Sequence, residues 1–159
     1  MKLREKPIAK GVSFGLTSGV ITTLGLVVGI EAGTGSRTAV IASIFIIAFS
    51  DGMSDALGMH LSEEASKKQT KDVWITTIYT FFSKFITAMS FSIPIFIFSL
   101  YIGTIISIIW GFILITLLSF LIAKRNNEKP IPIILEHVLI MFFVIITSKY
   151  IGKVIFSLV

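Results

Sequence analysis

The sequence predicts an all-α polytopic membrane protein with five transmembrane helices, its N-terminus inside and its C-terminus outside. Three observations lead there. First, hydrophobic residues make up 54% of the 159 positions and charged residues only 14%, with a mean hydropathy of +0.92. A water-soluble domain carries roughly 25% charged residues, so this chain cannot cover a soluble surface, and the same figures exclude a disordered one. Second, apolar stretches of about 20 residues recur, each the length of a bilayer core. Third, lysines and arginines gather in the polar junctions at alternate ends of those stretches, the pattern of the positive-inside rule. The formal charge of +5 therefore reads as topology, and no nucleic-acid partner is expected.

The spans follow in order. The first covers about 11–30, the second 38–61, the third ends near 100, the fourth covers 104–123 and the fifth 133–158. The third is the least defined: it starts at Val73 or as late as Phe85, with 73–83 then a cytoplasmic extension, and a short break at 101–103 separates it from the fourth. Unpaired backbone groups cost several kcal/mol in hydrocarbon, so each span must be helical. Lys2, Arg4, Lys6 and Lys10 precede the first span. Lys67, Lys68 and Lys71 lie between the second and third, and Lys124, Arg125 and Lys129 between the fourth and fifth. Five spans place all three groups on one side, whereas an even number scatters them. The basic start and apolar run resemble a signal peptide, but the run is too long and lacks a clean cleavage site, so it reads as an uncleaved span. Residues 1–159 form one domain. The expected setting is the lipid bilayer of the cell membrane, or of a vacuole-type membrane in a eukaryote.

Ionisable side chains at membrane depth cost roughly 2.5–3.5 kcal/mol on insertion scales and so mark function. Asp51 and Asp55 lie in the second span, Asp51 near its middle. Four residues apart, they share a face, roughly 6 Å apart along the axis. Further steps of four reach Met59 and Glu63. Carboxylates with a thioether suit a first-row divalent ion such as Fe2+ or Mn2+, so these four are the candidate metal ligands. His60 and Glu64, one position round, are a candidate mouth, and Ser18 and Thr22 of the first span are candidate pathway hydroxyls beside Thr17 and Thr23. The competing readings are a solvated helix end for Glu63 and Glu64 and bonding of the hydroxyls to their own helix. For the aspartates it is a structural pair with Lys84, deep if the third span starts near Val73. Small residues recur at steps of four: Gly11, Gly15 and Gly19, then Gly25, Gly29 and Gly33, and on the second span Ala48, Gly52 and Ala56. Such faces let helices approach closely, here the first against the second, within one chain or across a homodimer.

Pro94 is expected to kink the third span, and Glu136 to cap the start of the fifth, next to His137. Lys149 and Lys153 reach outward to headgroups. Trp74, Tyr79, Tyr101 and Tyr150 are interface anchors, with Trp110 deeper. The chain has no cysteine, which excludes disulfides and thiolate metal sites. No Walker loop or HExxH pattern occurs, so neither an enzyme nor a resident cofactor is expected.

Several of these segments together carry a resemblance. Gly19-Val20-Ile21-Thr22-Thr23-Leu24-Gly25-Leu26-Val27-Val28-Gly29 resembles the first-helix signature of the vacuolar iron transporter family, and 33–38 falls at that family's Gly/Ser/Arg turn. Ser54-Asp55-Ala56-Leu57-Gly58-Met59-His60-Leu61-Ser62 is similar to its "SMGLGxYLS" pattern, Ser92-Ile93-Pro94 to its proline-bearing third helix and Tyr150-Ile151-Gly152-Lys153 to its "YxIGK"-like end. The resemblance implies a homodimer that exports Fe2+ or Mn2+ from the cytosol in exchange for protons. It also shows departures. The family's first-helix aspartate falls on Ser18, its second-helix methionine on Asp55 and its upstream glutamate on Ile47, and the glutamate-rich insert between the second and third helices is missing. Asp51 and Asp55 are then expected to replace the lost acids from the neighbouring helix, with metal and protons competing for their oxygens. A passive cation channel, or a non-transporting scaffold with both aspartates sealed against Lys84, are the alternatives.

Overall fold

The computed structural model describes residues 6–158; Lys2 and Arg4 lie outside the described residues. Six helices follow one another: α1 (Pro7–Thr34), α2 (Arg37–Ala65), α3 (Thr70–Ser90), α4 (Ser92–Ile97), α5 (Leu100–Asn126) and α6 (Pro130–Ser157). With α3 and α4 taken as one broken span, five helices are long and apolar enough to cross a membrane. No strand occurs among the described residues.

Local chemistry sets the ends. Pro7 and Pro130 stand in the first turn of their helices, where a missing N–H costs nothing and the fixed φ suits the helix. Gly35 closes α1 at φ 58 and donates its N–H to the Glu31 carbonyl; only glycine takes that left-handed geometry without strain. Ser36 then caps α2, its Oγ accepting from Ala39 N at 3.2 Å. Asn127 ends α5 at φ 55, a conformation asparagine tolerates better than most residues.

The third span differs from the expected one at both ends. It begins at Thr70, earlier than either alternative, and α5 begins at Leu100, so Tyr101–Gly103 is helical and the break falls at Phe98–Ser99. Within the span the helix breaks at Phe91. Proline at 94 has no N–H for the carbonyl four residues earlier, that of Ser90, which is where α3 ends. The kink is real and its cause is Pro94. Glu136 is no cap: α6 starts at Pro130 with Lys129 as N-cap and no acid in the first turn.

Helix α1 is the centre of the bundle and packs on α2, α3, α5 and α6. Val20, Leu24, Val28, Phe91, Ile115 and Met141 form one buried core cluster, and Val27, Val40, Ile44 and Ile95 a second. The glycine faces have partners other than those expected. A Cβ at Gly11 would lie 2.6 Å from Thr76 O, one at Gly15 would strike Thr80 O, and one at Gly19 would meet Thr87 at 3.1 Å. All three glycines therefore seat α3. Gly52 faces Phe81, also on α3, while Gly25 and Gly29 face Ser148 on α6. The small faces at Gly11–Gly19 of α1 and at Gly52 of α2 receive α3 and the one at Gly25–Gly33 of α1 receives α6, so α1 and α2 do not seat one another through them. Lys149 and Lys153 are exposed, and so is Trp74, which packs edge-on to His60. Trp110, half-exposed, donates Nε1–H to Ser90 Oγ.

Candidate functional site: an intramembrane acid–lysine cluster

The start of α3 at Thr70 puts Lys84 fifteen residues in, at membrane depth, and packing drives it inward. Lys84 is the largest fully buried side chain among the described residues, its side chain 1% exposed. Gly15 and Gly19 make this possible, because α3 approaches α1 there closely enough to enclose the lysine stem. The ammonium stands at the junction of three helices. It donates to Asp55 Oδ2 on α2 at 2.6 Å and to Ser18 Oγ on α1 at 2.9 Å. Asp51 Oδ2 lies 2.5 Å from it as an ion-pair contact, without hydrogen-bond geometry. The structural pairing weighed from the sequence is thus present, and it takes in both aspartates.

The cluster is not closed on all sides. The ammonium is sealed, but the side chains of Asp51 and Asp55 are 30% and 20% exposed. With both acids ionised, two negative charges share one positive charge, leaving the cluster one charge short of neutrality. A buried ionic cluster is tolerable only when its charges are paired and its lone pairs met. The open edges of the carboxylates are where a proton or a cation would complete this one.

Below the cluster, α1 and α2 run antiparallel with two step-of-four series side by side. Lys10, Phe14, Ser18 and Thr22 on α1 lie against Glu63, Met59, Asp55 and Asp51 on α2. The register is fixed at three rungs. Lys10 Nζ pairs with Glu63 Oε1, Phe14 and Met59 line one cavity, and Ser18 and Asp55 meet on Lys84. Successive rungs are about 6 Å apart along the axis, so Asp51 and Glu63 are about 18 Å apart. The four candidate ligands therefore cannot close on one ion. Among the described residues no group of three or more histidines, cysteines and acids is placed to share a metal. The stripe is a series of stations.

The remaining candidates divide. Glu63 is not a solvated helix end: it is buried, 3% exposed, under Lys10. Glu64 is exposed and lies 3.4 Å from His60 Nε2. His60 faces α3, where its Nδ1 is 2.9 Å from Thr77 Oγ1. The Thr77 hydroxyl donates to Val73 O, so Nδ1 carries the proton in that bond. His60 lines a separate hollow with Trp74 and Thr77, so it and Glu64 do not open onto the aspartate stripe. On α1, Thr17 donates to Ser13 O and Thr22 to Ser18 O; these hydroxyls bond back to their own helix, and Ser18 alone reaches the cluster. His137 meets Ser119 Oγ at 2.8 Å. Sequence reasoning missed Lys10, Ser13 and Phe14. The step-of-four spacing of Lys10 and Phe14 towards Ser18 was the available signal, and the antiparallel register against Glu63 could be seen only once the helices were placed.

No family model, curated protein or solved structure matches the chain.

Proposed function

We propose that this chain is an integral membrane carrier of divalent transition-metal ions, Fe2+ or Mn2+, moving them out of the cytosol in exchange for protons, and that it works as a homodimer. One observation carries the reading: two carboxylates at the middle of a membrane helix share a single buried ammonium and keep their outer edges exposed. Hydrocarbon is a costly neighbour for a charged edge, so the exposed side belongs to a hydrated groove or to a second copy. The cluster lacks one positive charge, and a proton or a cation supplies it.

In this reading the metal binds Asp51 and Asp55 in their charged form and protonation releases it, since both compete for the same oxygens. Lys84 is the counter-ion of the empty site. A dication entering there must displace the ammonium from at least one carboxylate, so the lysine sets how tightly cargo is held. Ser18 keeps the ammonium when it moves. The resemblance to the vacuolar iron transporter family supports Fe2+ and Mn2+ as the first cargoes to test.

The test is purified protein in liposomes, with Fe2+, Mn2+, Zn2+ or Co2+ on one side of an imposed pH gradient. Metal-dependent proton flux is expected from the native chain, and none from Asp51→Asn, Asp55→Asn with Lys84→Met added to remove the stranded charge. Unchanged flux in that variant overturns the assignment of the site. A second reading, a scaffold without transport, draws on the Lys84 contacts to both acids; it requires that no metal moves under any gradient. Metal flux without proton movement would instead identify a passive channel.

A further inference from the structure

The two acidic stations of α2 share a feature that neither has alone: each is held by a lysine from a neighbouring helix. Asp51 and Asp55 are held by Lys84 of α3, and Glu63 by Lys10 of α1. Between the two stations lies a cavity of about 220 Å3, lined by Lys10, Ser13, Phe14 and Met59 with Ile122 and Arg125 of α5 across it. That is room for several waters. Lys10 lines it at the rung where it pairs with Glu63, and Phe14 and Met59 line it one rung nearer to Ser18 and Asp55, which do not line it themselves.

We propose that the Lys10–Glu63 pair is a gate, with the Lys10 ammonium a tethered, displaceable plug over an antechamber that leads to the aspartates. The inference rests on the carrier reading above, because it treats the acidic stripe as a cation path. The two partners differ in the way a plug requires. Glu63 is fixed, its side chain 5% exposed, whereas Lys10 is 35% exposed and lies in the first turn of α1. A long flexible lysine stem can swing its head into water, while the glutamate cannot follow. With Lys10 in place the mouth presents Lys10 and Arg125 and repels a cation. With Lys10 swung out, Glu63 and Met59 are bared together, a carboxylate and a thioether one turn apart, and the mouth becomes attractive. Cargo then exchanges one lysine for itself at Glu63 and the next at the aspartates.

The chain contains no cysteine, so single cysteines report access directly. Met59→Cys and Ser18→Cys sit inside and beyond the antechamber; Leu57→Cys, on the exposed apolar side of the same helix, is the control. Labelling with a membrane-impermeant cationic methanethiosulfonate in proteoliposomes is expected to be slow at both inner sites. Adding Lys10→Gln should speed it on the order of twofold to fivefold, the range for loss of one partly exposed ion pair. Lys10→Arg should keep the slow rate, and the control should not change. Inner-site rates untouched by Lys10→Gln, or already equal to that of a cysteine at exposed Ser66, overturn the gate. Faster labelling without metal flux in any variant keeps the gate and removes the carrier reading, while metal flux with unchanged labelling does the reverse.

Discussion

At the scale of single residues, the fate of Lys84 decides what holds the middle of the bundle. Removing one partner of a buried ionic group strands the others and typically costs about 3–5 kcal/mol, whereas replacing the whole group by apolar or neutral side chains of similar size is often neutral or stabilising. Lys84→Met alone leaves Asp51 and Asp55 facing each other with no counter-charge. We therefore expect it to lower the thermal midpoint of the detergent-solubilised protein sharply. The combination Lys84→Met, Asp51→Asn, Asp55→Asn should return the midpoint to near or above that of the native chain. Recovery of stability together with loss of metal flux separates the two roles of the cluster; a triple variant no more stable than Lys84→Met would mean that the charges are not what the bundle tolerates there. That Asp51 and Asp55 share a face was legible from their spacing alone, and so was Lys84 as their partner, conditional on where the third span begins. Glu63 was not, because the partner that buries it sits 53 positions away and a polar residue near a helix end gives no sign of being covered.

At the scale of helices, packing of α3 onto the glycine face of α1 is the contact that puts Lys84 under cover. Gly15 is the sharpest case. A side chain there drives into the Thr80 carbonyl and lies 3.0 Å from Lys84 N, backbone that cannot yield without moving α3. Gly15→Val is expected to cost at least the 1–3 kcal/mol or so of an overpacked core, and to expose Lys84 by displacing α3. Gly58 provides the contrast. It lies in the interior of α2 with nothing within 4 Å of an added Cβ, so Gly58→Ala removes only the backbone freedom of glycine and should stabilise by about 0.5–1 kcal/mol. Paired melts in one detergent check both signs. The sequence pattern identified these small faces correctly but paired them with the wrong helix, since periodicity shows which side of a helix is narrow and never what approaches it. The break in the third span was misplaced for a related reason. Tyr101–Gly103 looks like a turn by composition, yet the helix is free to pass through it once the Pro94 defect has been absorbed at Phe91 and at Phe98–Ser99.

For the whole molecule, the same odd count of spans that gathers the basic junctions also assembles the site. Consecutive spans reverse direction, α3 and α4 counting as one, so the start of α1, the α2–α3 junction and the α5–α6 junction share one end of the bundle. Contacts at that end bear this out: Lys10 reaches Glu63 near the end of α2, and Arg125 near the end of α5 lines the same cavity. Lys67, Lys68, Lys71, Lys124 and Lys129 lie at or beside the junctions of the same end. By the positive-inside rule this end is expected to be cytoplasmic, and the proposed export direction and the side of the antechamber rest on that expectation. Single cysteines at Ser66 and Asn127 should then react with an impermeant thiol reagent only from the cytoplasmic face of oriented vesicles, and those at Ser36 and Ser157 only from the opposite face. Each pair tests the span count as well as the orientation. If α3–α4 failed to cross, Ser66 and Asn127 would report opposite faces. If all four positions reported the reverse orientation, the bundle would stand unchanged, but the Lys10 gate would open to the outside and the stripe would describe uptake in place of export.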